Sequence, residues 1–163
     1  MPTTDFPSIL LAHNRWANRQ MLDACAGLSR EQLHRPFEMG PGSLHNTLAH
    51  IAGSIRGWAT MLAGAAPRPR IEKGGPYTLD QLRTLFDEAT RELEDALAAH
   101  PLDGIATTER DGKHYAFARA GVLTHVTTHA MHHRAQCLNM LRHLGVGPLP
   151  HSSVVEWMRM VDV

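Results

Sequence analysis

Apolar residues recur along this chain with a period near 3.6 in four long segments, which is the signature of amphipathic helices. In the first segment Ile9, Leu10, His13, Trp16, Ala17, Gln20, Met21 and Ala24 share a stripe. Pro7 suits its first turn and Gly27 its end. Ser29-Arg-Glu-Gln32 reads as a capping box opening a short helical turn. The second helix is predicted from Ser43, its N-cap, to about Leu62, on the seam Leu44, Leu48, Ile51, Ile55, Trp58 and Leu62. The third runs from Thr78 to about His100 on Leu79, Leu82, Leu85, Phe86, Ala89, Leu93 and Leu97, and Pro101 closes it. The fourth spans about Ala120 to Leu144 and stops at Gly145 and Gly147.

The intervening stretches are equally readable. Pro67, Pro69, Gly74, Gly75 and Pro76 exclude a helix between the second and third segments. Weak alternation from Ile105 to Phe117 around Asp111-Gly112 predicts a small β-hairpin before the last long helix. His151 to Met160 suits a further short helix. Four amphipathic helices predict an all-α four-helix bundle. The loop of about 15 residues after the second helix is long enough to cross the bundle end, so an up-down-down-up order is allowed.

Size adds that 163 residues with 43% hydrophobic content suit a single domain over 1–163, with a core at about 5–145 and a tail at 146–163. Sixteen basic side chains balance sixteen acidic ones, so nucleic acid and anionic membranes are not expected partners. The opening residues lack a basic start followed by an apolar run, and no window reaches the roughly 18 apolar residues of a membrane span. A cytoplasmic location is the expectation. Cys25 and Cys137 lie apart within apolar patterns and read as buried structural thiols.

The chemistry sits in His125-Val-Thr-Thr-His129-Ala-Met-His132-His133. On a helix these four imidazoles fall within an arc of about 100°. The apolar positions of that helix point close to Val126, which leaves His133 about 20° and His129 about 60° from the core direction. His125 falls about 100° away, at the boundary, and His132 about 120° away, towards solvent. An inward i, i+4 pair of neutral imidazoles is a metal-ligand arrangement. A third ligand should then come from a facing helix, with His13, His45 and His50 as candidates. Periodicity prefers His13 and does not separate His45 from His50. His34, His100, His114, His143 and His151 lie in loops or at helix ends and read as solvated or capping. Glu38, Glu88 and Glu92 are the carboxylates to consider nearby, though a solvated helix face explains them as well.

Three stretches resemble the DinB family of DinB/YfiT-like metalloenzymes: Leu11-Ala-His-Asn-Arg-Trp-Ala-Asn18, Gly42-Ser-Leu-His-Asn-Thr-Leu-Ala-His-Ile51 and His125-Val-Thr-Thr-His-Ala-Met-His-His-Arg-Ala-Gln136. The likeness covers about residues 5–145. It implies His50, His129 and His133 as ligands of a divalent ion, zinc or nickel, together with the up-down-down-up bundle and a homodimer. The family often carries Tyr where this chain has His13, so His13, or His45, could complete the shell.

A three-imidazole site with an open position is of the catalytic type. Since relatives of the family include thiol-dependent S-transferases and a maleylpyruvate isomerase, the resemblance implies a small-molecule substrate, with a low-molecular-weight thiol activated at the metal. His13 or His125 would shuttle protons, and Trp16, Trp58 and the 63–77 loop would wall the substrate. The alternatives are a metal-dependent hydrolase, a non-catalytic stress-related metal-binding module, or a bundle with an incidental His cluster.

Overall fold

A computed structural model describes residues 5–161 of the chain. Its helices are α1 (Phe6–Ala24), α2 (Arg30–His34), α3 (Leu44–Leu62), α4 (Leu79–Ala98), α5 (Arg119–His143) and α6 (Val154–Met160). A 3-10 turn occupies Ile71–Lys73, and strands β1 (Ile105–Arg110) and β2 (Lys113–Ala118) form one antiparallel hairpin.

Local chemistry sets these boundaries. Asp5 caps α1 by accepting from the Ser8 N–H at 3.1 Å, and Ser43 caps α3 by accepting from Asn46. Capping boxes open α2 (Ser29, Gln32), α4 (Thr78, Gln81) and α6 (Ser153, Glu156). Each such cap satisfies helix-end N–H groups and contributes about 1 kcal/mol. The hairpin turns on Asp111 and Gly112 with φ of 52° and 71°, the paired left-handed geometry of a type I′ turn that makes Asp-Gly so strong a signal. Its register pairs Ile105 with Ala118 and Arg110 with Lys113.

The four long helices enclose one apolar cluster drawn from Met21 and Leu22 of α1, Leu48, Ile51 and Ile55 of α3, Leu82 and Leu93 of α4, and Leu123, Met140 and Leu141 of α5. Each fully buried aliphatic side chain contributes about 1.5–3 kcal/mol. Cys25 and Cys137 lie in this cluster as free thiols. Burial pushes the Cys25 thiol up to about 12 and that of Cys137 higher still, so neither is a nucleophile.

The helix directions follow from the pairs they make. Arg15 pairs with Glu94, Arg19 with Asp87 and Asp23 with Arg83, so α1 and α4 are antiparallel. Arg119, at the start of α5 and only 4% exposed, donates to the carbonyls of Leu62 and Ala96. Those carbonyls end α3 and α4, which therefore run side by side in the same direction, with α5 opposed to both. The order is up-down-down-up, as the length of the 63–78 connection allows. That connection must return along α3 to start α4, and its turn at Ile71–Lys73 packs against α3 on the way.

The inner face of α1 departs from the apolar stripe. Asn14 and Asn18 are buried, while Ile9, Leu10, Trp16 and Gln20 are half-exposed. The reason is Arg134 of α5, 1% exposed, whose Nη1 donates to Asn14 Oδ1 at 2.7 Å and Asn18 Oδ1 at 2.8 Å. Desolvation lowers this guanidinium to about 10, so it stays cationic at neutral pH.

Candidate metal centre

His50 lies two turns into α3, and His129 and His133 lie one turn apart on the facing α5. Because α3 and α5 pack directly, the seam between them closes over all three rings. Ring centroids are 5.0 Å apart for His50 and His129, 4.6 Å for His50 and His133, and 4.5 Å for His129 and His133. One ligand nitrogen from each lies within 4.8 Å of the others, the only such three-residue group of His, Cys, Asp or Glu found among the described residues. Nε2 of His50 and Nε2 of His129 are 3.2 Å apart, close to the roughly 3.3 Å that separates two nitrogens bound tetrahedrally to one zinc-sized ion.

Deprotonation at neutral pH favours ligation. Burial, reinforced by the neighbouring His133 and His50 rings, pushes His129 down to about 4, and burial also lowers His133. Both are uncharged at neutral pH and offer a lone pair. The other ring nitrogens are held from outside. The Nδ1–H of His50 donates to Glu72 Oε1 at 3.0 Å, and that of His133 donates to Gln136 Oε1 at 2.8 Å. Each bond directs the Nε2 lone pair inwards and makes the ring a stronger donor. With His50 in that tautomer, the short Nε2–Nε2 contact places the N–H of His129 on Nε2, and ligation by both rings needs that neutral ring to carry its proton on Nδ1 instead.

Two glycines make room for these outer groups. A Cβ on Gly53 of α3 would lie 2.5 Å from Glu72 Oε2, and one on Gly40 would lie 2.1 Å from Gln136 Oε1. Gly40 also holds φ at +49°, where a side chain is strained. The donor set therefore fits a divalent ion such as zinc, with three imidazoles inside and a carboxylate and an amide behind them.

Other sequence candidates fall elsewhere. Both ring nitrogens of His45 are engaged: Nδ1 is 3.1 Å from Asn46 Oδ1, and Nε2 accepts the Tyr77 N–H at 2.9 Å. It anchors the start of α4 and stacks on His34, 4.2 Å away. His13, favoured by periodicity alone, is buried with Nε2 3.0 Å from the Ser152 carbonyl and its ring against Trp16 and Trp157. It ties the C-terminal segment to α1 and is not joined to the trio. Trp16 goes with it, so the expectation that Trp16 and Trp58 wall one pocket is corrected: only Trp58 approaches the trio, through His125. The His125 ring is exposed, 5.4 Å from His129 and 5.1 Å from Trp58. His132 is exposed, as its phase predicted.

Sequence reasoning missed Glu72. Among the carboxylates it weighed, Glu92 instead binds Arg68. Glu72 stands in a Gly- and Pro-rich loop without periodicity, and only the return path of that loop past α3 reveals it. Gln136 lay within the quoted last-helix motif, three residues after His133, the spacing that puts two side chains on one helix face.

Among the described residues no helix is long and apolar enough to cross a membrane. The sequence profile of the DinB family matches residues 1–157. Protein DinB of Bacillus subtilis is 24% identical over 165 residues, covering 90% of this chain and 91% of that protein. The fold is similar to the crystal structure of a DinB-like protein, YjoA, from Bacillus subtilis, with TM-score 0.68 and 18% identity over 88% of this chain and 96% of that one. It is likewise similar to a putative DinB family member from Exiguobacterium sibiricum, with TM-score 0.67 and 21% identity over 90% and 97%. A profile match along nearly the whole chain, a bundle of the same shape and a His trio where the motifs had pointed agree with one another: the chain belongs to the DinB family.

Proposed function

We propose that this chain is a metal-dependent S-transferase that joins a low-molecular-weight thiol to a small electrophile. The observation that carries the reading is a three-imidazole donor set with no fourth protein ligand beside it among the described residues, the pattern of a catalytic rather than a sealed structural site. His50, His129 and His133 would hold a zinc or nickel ion, which would supply a Lewis acid able to acidify a thiol. The chain's own residues do the rest. Glu72 and Gln136 hold two ligand rings in register. His125, at the rim beside His129, is our candidate for accepting the thiol proton. The sulfur forms its bond to the electrophilic carbon as the leaving group departs with its electron pair. Neither Cys25 nor Cys137 takes part.

Element analysis of untagged protein, followed by a thiol panel against 1-chloro-2,4-dinitrobenzene, tests the reading. Metal-dependent conjugation, lost in His133→Ala, is the expected result. Metal-dependent ester hydrolysis without conjugation would replace it with a hydrolase, and bound metal with neither activity would leave a binding module. We also read the protein as a cytoplasmic homodimer. Phe6 on α1 and Val155 and Met158 on α6, two helices in contact, leave apolar surface exposed, and sedimentation tests the oligomeric state.

A further inference from the structure

A row of aromatic rings leads away from the trio along the seam of α3 and α5. His125 precedes His129 by one turn, and its ring meets Trp58 edge-to-face at 5.1 Å. Trp58 meets Phe117 edge-to-face at 5.5 Å and 87°, and Phe117 stacks on Tyr115 at 6.1 Å with planes 6° apart. Phe117 and Tyr115 are two residues apart on β2, so they share one face of the hairpin. The hairpin leads directly into α5, so its rings stand at the end of the seam where α3 finishes and α5 begins.

Three features separate this row from ordinary core packing. The chain has only nine Phe, Trp and Tyr residues, and three of them are here. Their surfaces remain accessible: Tyr115 is 40% exposed, Trp58 and Phe117 are half-exposed and His125 is exposed. The row is also continuous with the trio through His125, whose ring is 5.4 Å from His129. Indole and phenol faces are electron-rich and attract the electron-poor face of a flat ring.

We infer that Trp58, Phe117 and Tyr115 form the wall on which a flat, electron-poor aromatic substrate lies, with its reactive atom towards His50, His129 and His133. This deepens the proposed function by naming the class of electrophile, and it rests on that reading for the chemistry but not for the binding.

The binding can be read without turnover. Wild-type protein, metal-loaded and metal-free, is titrated with unreactive 1,3-dinitrobenzene while the three tryptophan indole N–H signals are followed by NMR, with Trp58→Phe assigning one of them. The Trp58 signal should shift saturably in both forms, and His133→Ala should bind the probe as the wild type does. Phe117→Ala and the more exposed Tyr115→Ala should each weaken the probe about two- to tenfold, the range for loss of one aromatic contact. A saturable shift confined to Trp16 and Trp157 would overturn the inference by directing aromatic ligands to the concavity of about 430 Å³ that those residues line with Leu11, Arg15 and Glu94. No saturable shift at Trp58, or unchanged affinity in both hairpin variants, would overturn it as well. A Trp58 response without conjugation activity would keep the wall and reject the transferase, whereas conjugation without a Trp58 response would do the reverse.

Discussion

Replacing Gly53 with Ala should make the metal-free protein more stable and the metal weaker-bound. Gly53 lies inside α3, where glycine is less stable than alanine by about 0.5–1 kcal/mol. The added Cβ meets only the end of one flexible side chain, with Glu72 Oε2 at 2.5 Å and its Cδ at 2.9 Å. The Glu72 side chain is 27% exposed and can swing into solvent, so the helix keeps most of its gain. At this chain length, 0.5–1 kcal/mol corresponds to a melting temperature about 1–4 °C higher. The carboxylate that swings away is the one holding His50 Nδ1. Loss of such an outer-shell bond weakens metal binding by about 10–100-fold, or about 1.4–2.8 kcal/mol. Thermal unfolding of chelated protein measures the first effect, and competition against a chromophoric chelator measures the second. Glu72→Ala should reproduce the weaker binding without the higher melting temperature. If Gly53→Ala binds zinc as tightly as the wild type while Glu72→Ala does not, the carboxylate has room to yield and still hold His50. If both bind normally, Glu72 does not orient the ligand at all.

His133→Ala should abolish stoichiometric metal binding while His132→Ala, exposed about 100° further round the helix, leaves it intact; the reverse pattern in element analysis would show the helix phase to be misread. Chelation should lower the melting temperature but leave the helical circular dichroism, because the apolar cluster spans all four long helices without the trio; a collapse of helicity would contradict this. His129 titrates near 6.5 unfolded but near 4 folded, so between those values the unfolded chain binds more protons and acid favours it. The contribution of His129 to metal-free stability is thus complete above about pH 6.5 and lost as pH falls towards 4. Denaturant midpoints across that window should decline in the wild type and decline less steeply in His129→Ala, where the lowered His133 and His13 still titrate.

Much of the fold was legible because it rests on short-range rules. The capping box at Ser29, the helix start at Thr78, the Asp111-Gly112 turn and the apolar seam of α3 each depend on residues a few positions apart, and each appears where it was expected. The inward phase of His129 and His133 came from the same arithmetic. Long-range polar pairing defeats that arithmetic. Arg134 looks like a surface residue until Asn14 and Asn18, more than a hundred positions earlier, accept its hydrogen bonds, and those two asparagines rotate the true inner face of α1 away from its apolar stripe. His13 looked like a ligand because it lies on the buried side of α1, yet burial there serves the Ser152 carbonyl. Periodicity could not choose between His45 and His50, since both flank one seam. The choice depends on what crosses each flank, the start of α4 beside His45 and the Glu72 turn beside His50.

Arg119 has an electrical consequence for the topology. In a bundle whose neighbours alternate in direction, each helix end lies beside one of opposite partial charge. Here α3 and α4 run alongside each other in one direction, so two carbonyl ends, each carrying about half a negative charge, come together in a water-poor place. A single guanidinium, bonded to Leu62 O and Ala96 O, neutralises them both. Because that cation is the first residue of α5, α5 docks with its beginning against two finished helices. The side chain thus acts as a polarity key that matches the down-down pair and repels the amide-bearing ends of a reversed one. In this architecture the orientation of the helices is selected by charge at one end of the bundle, whereas the apolar core, indifferent to direction, supplies the cohesion.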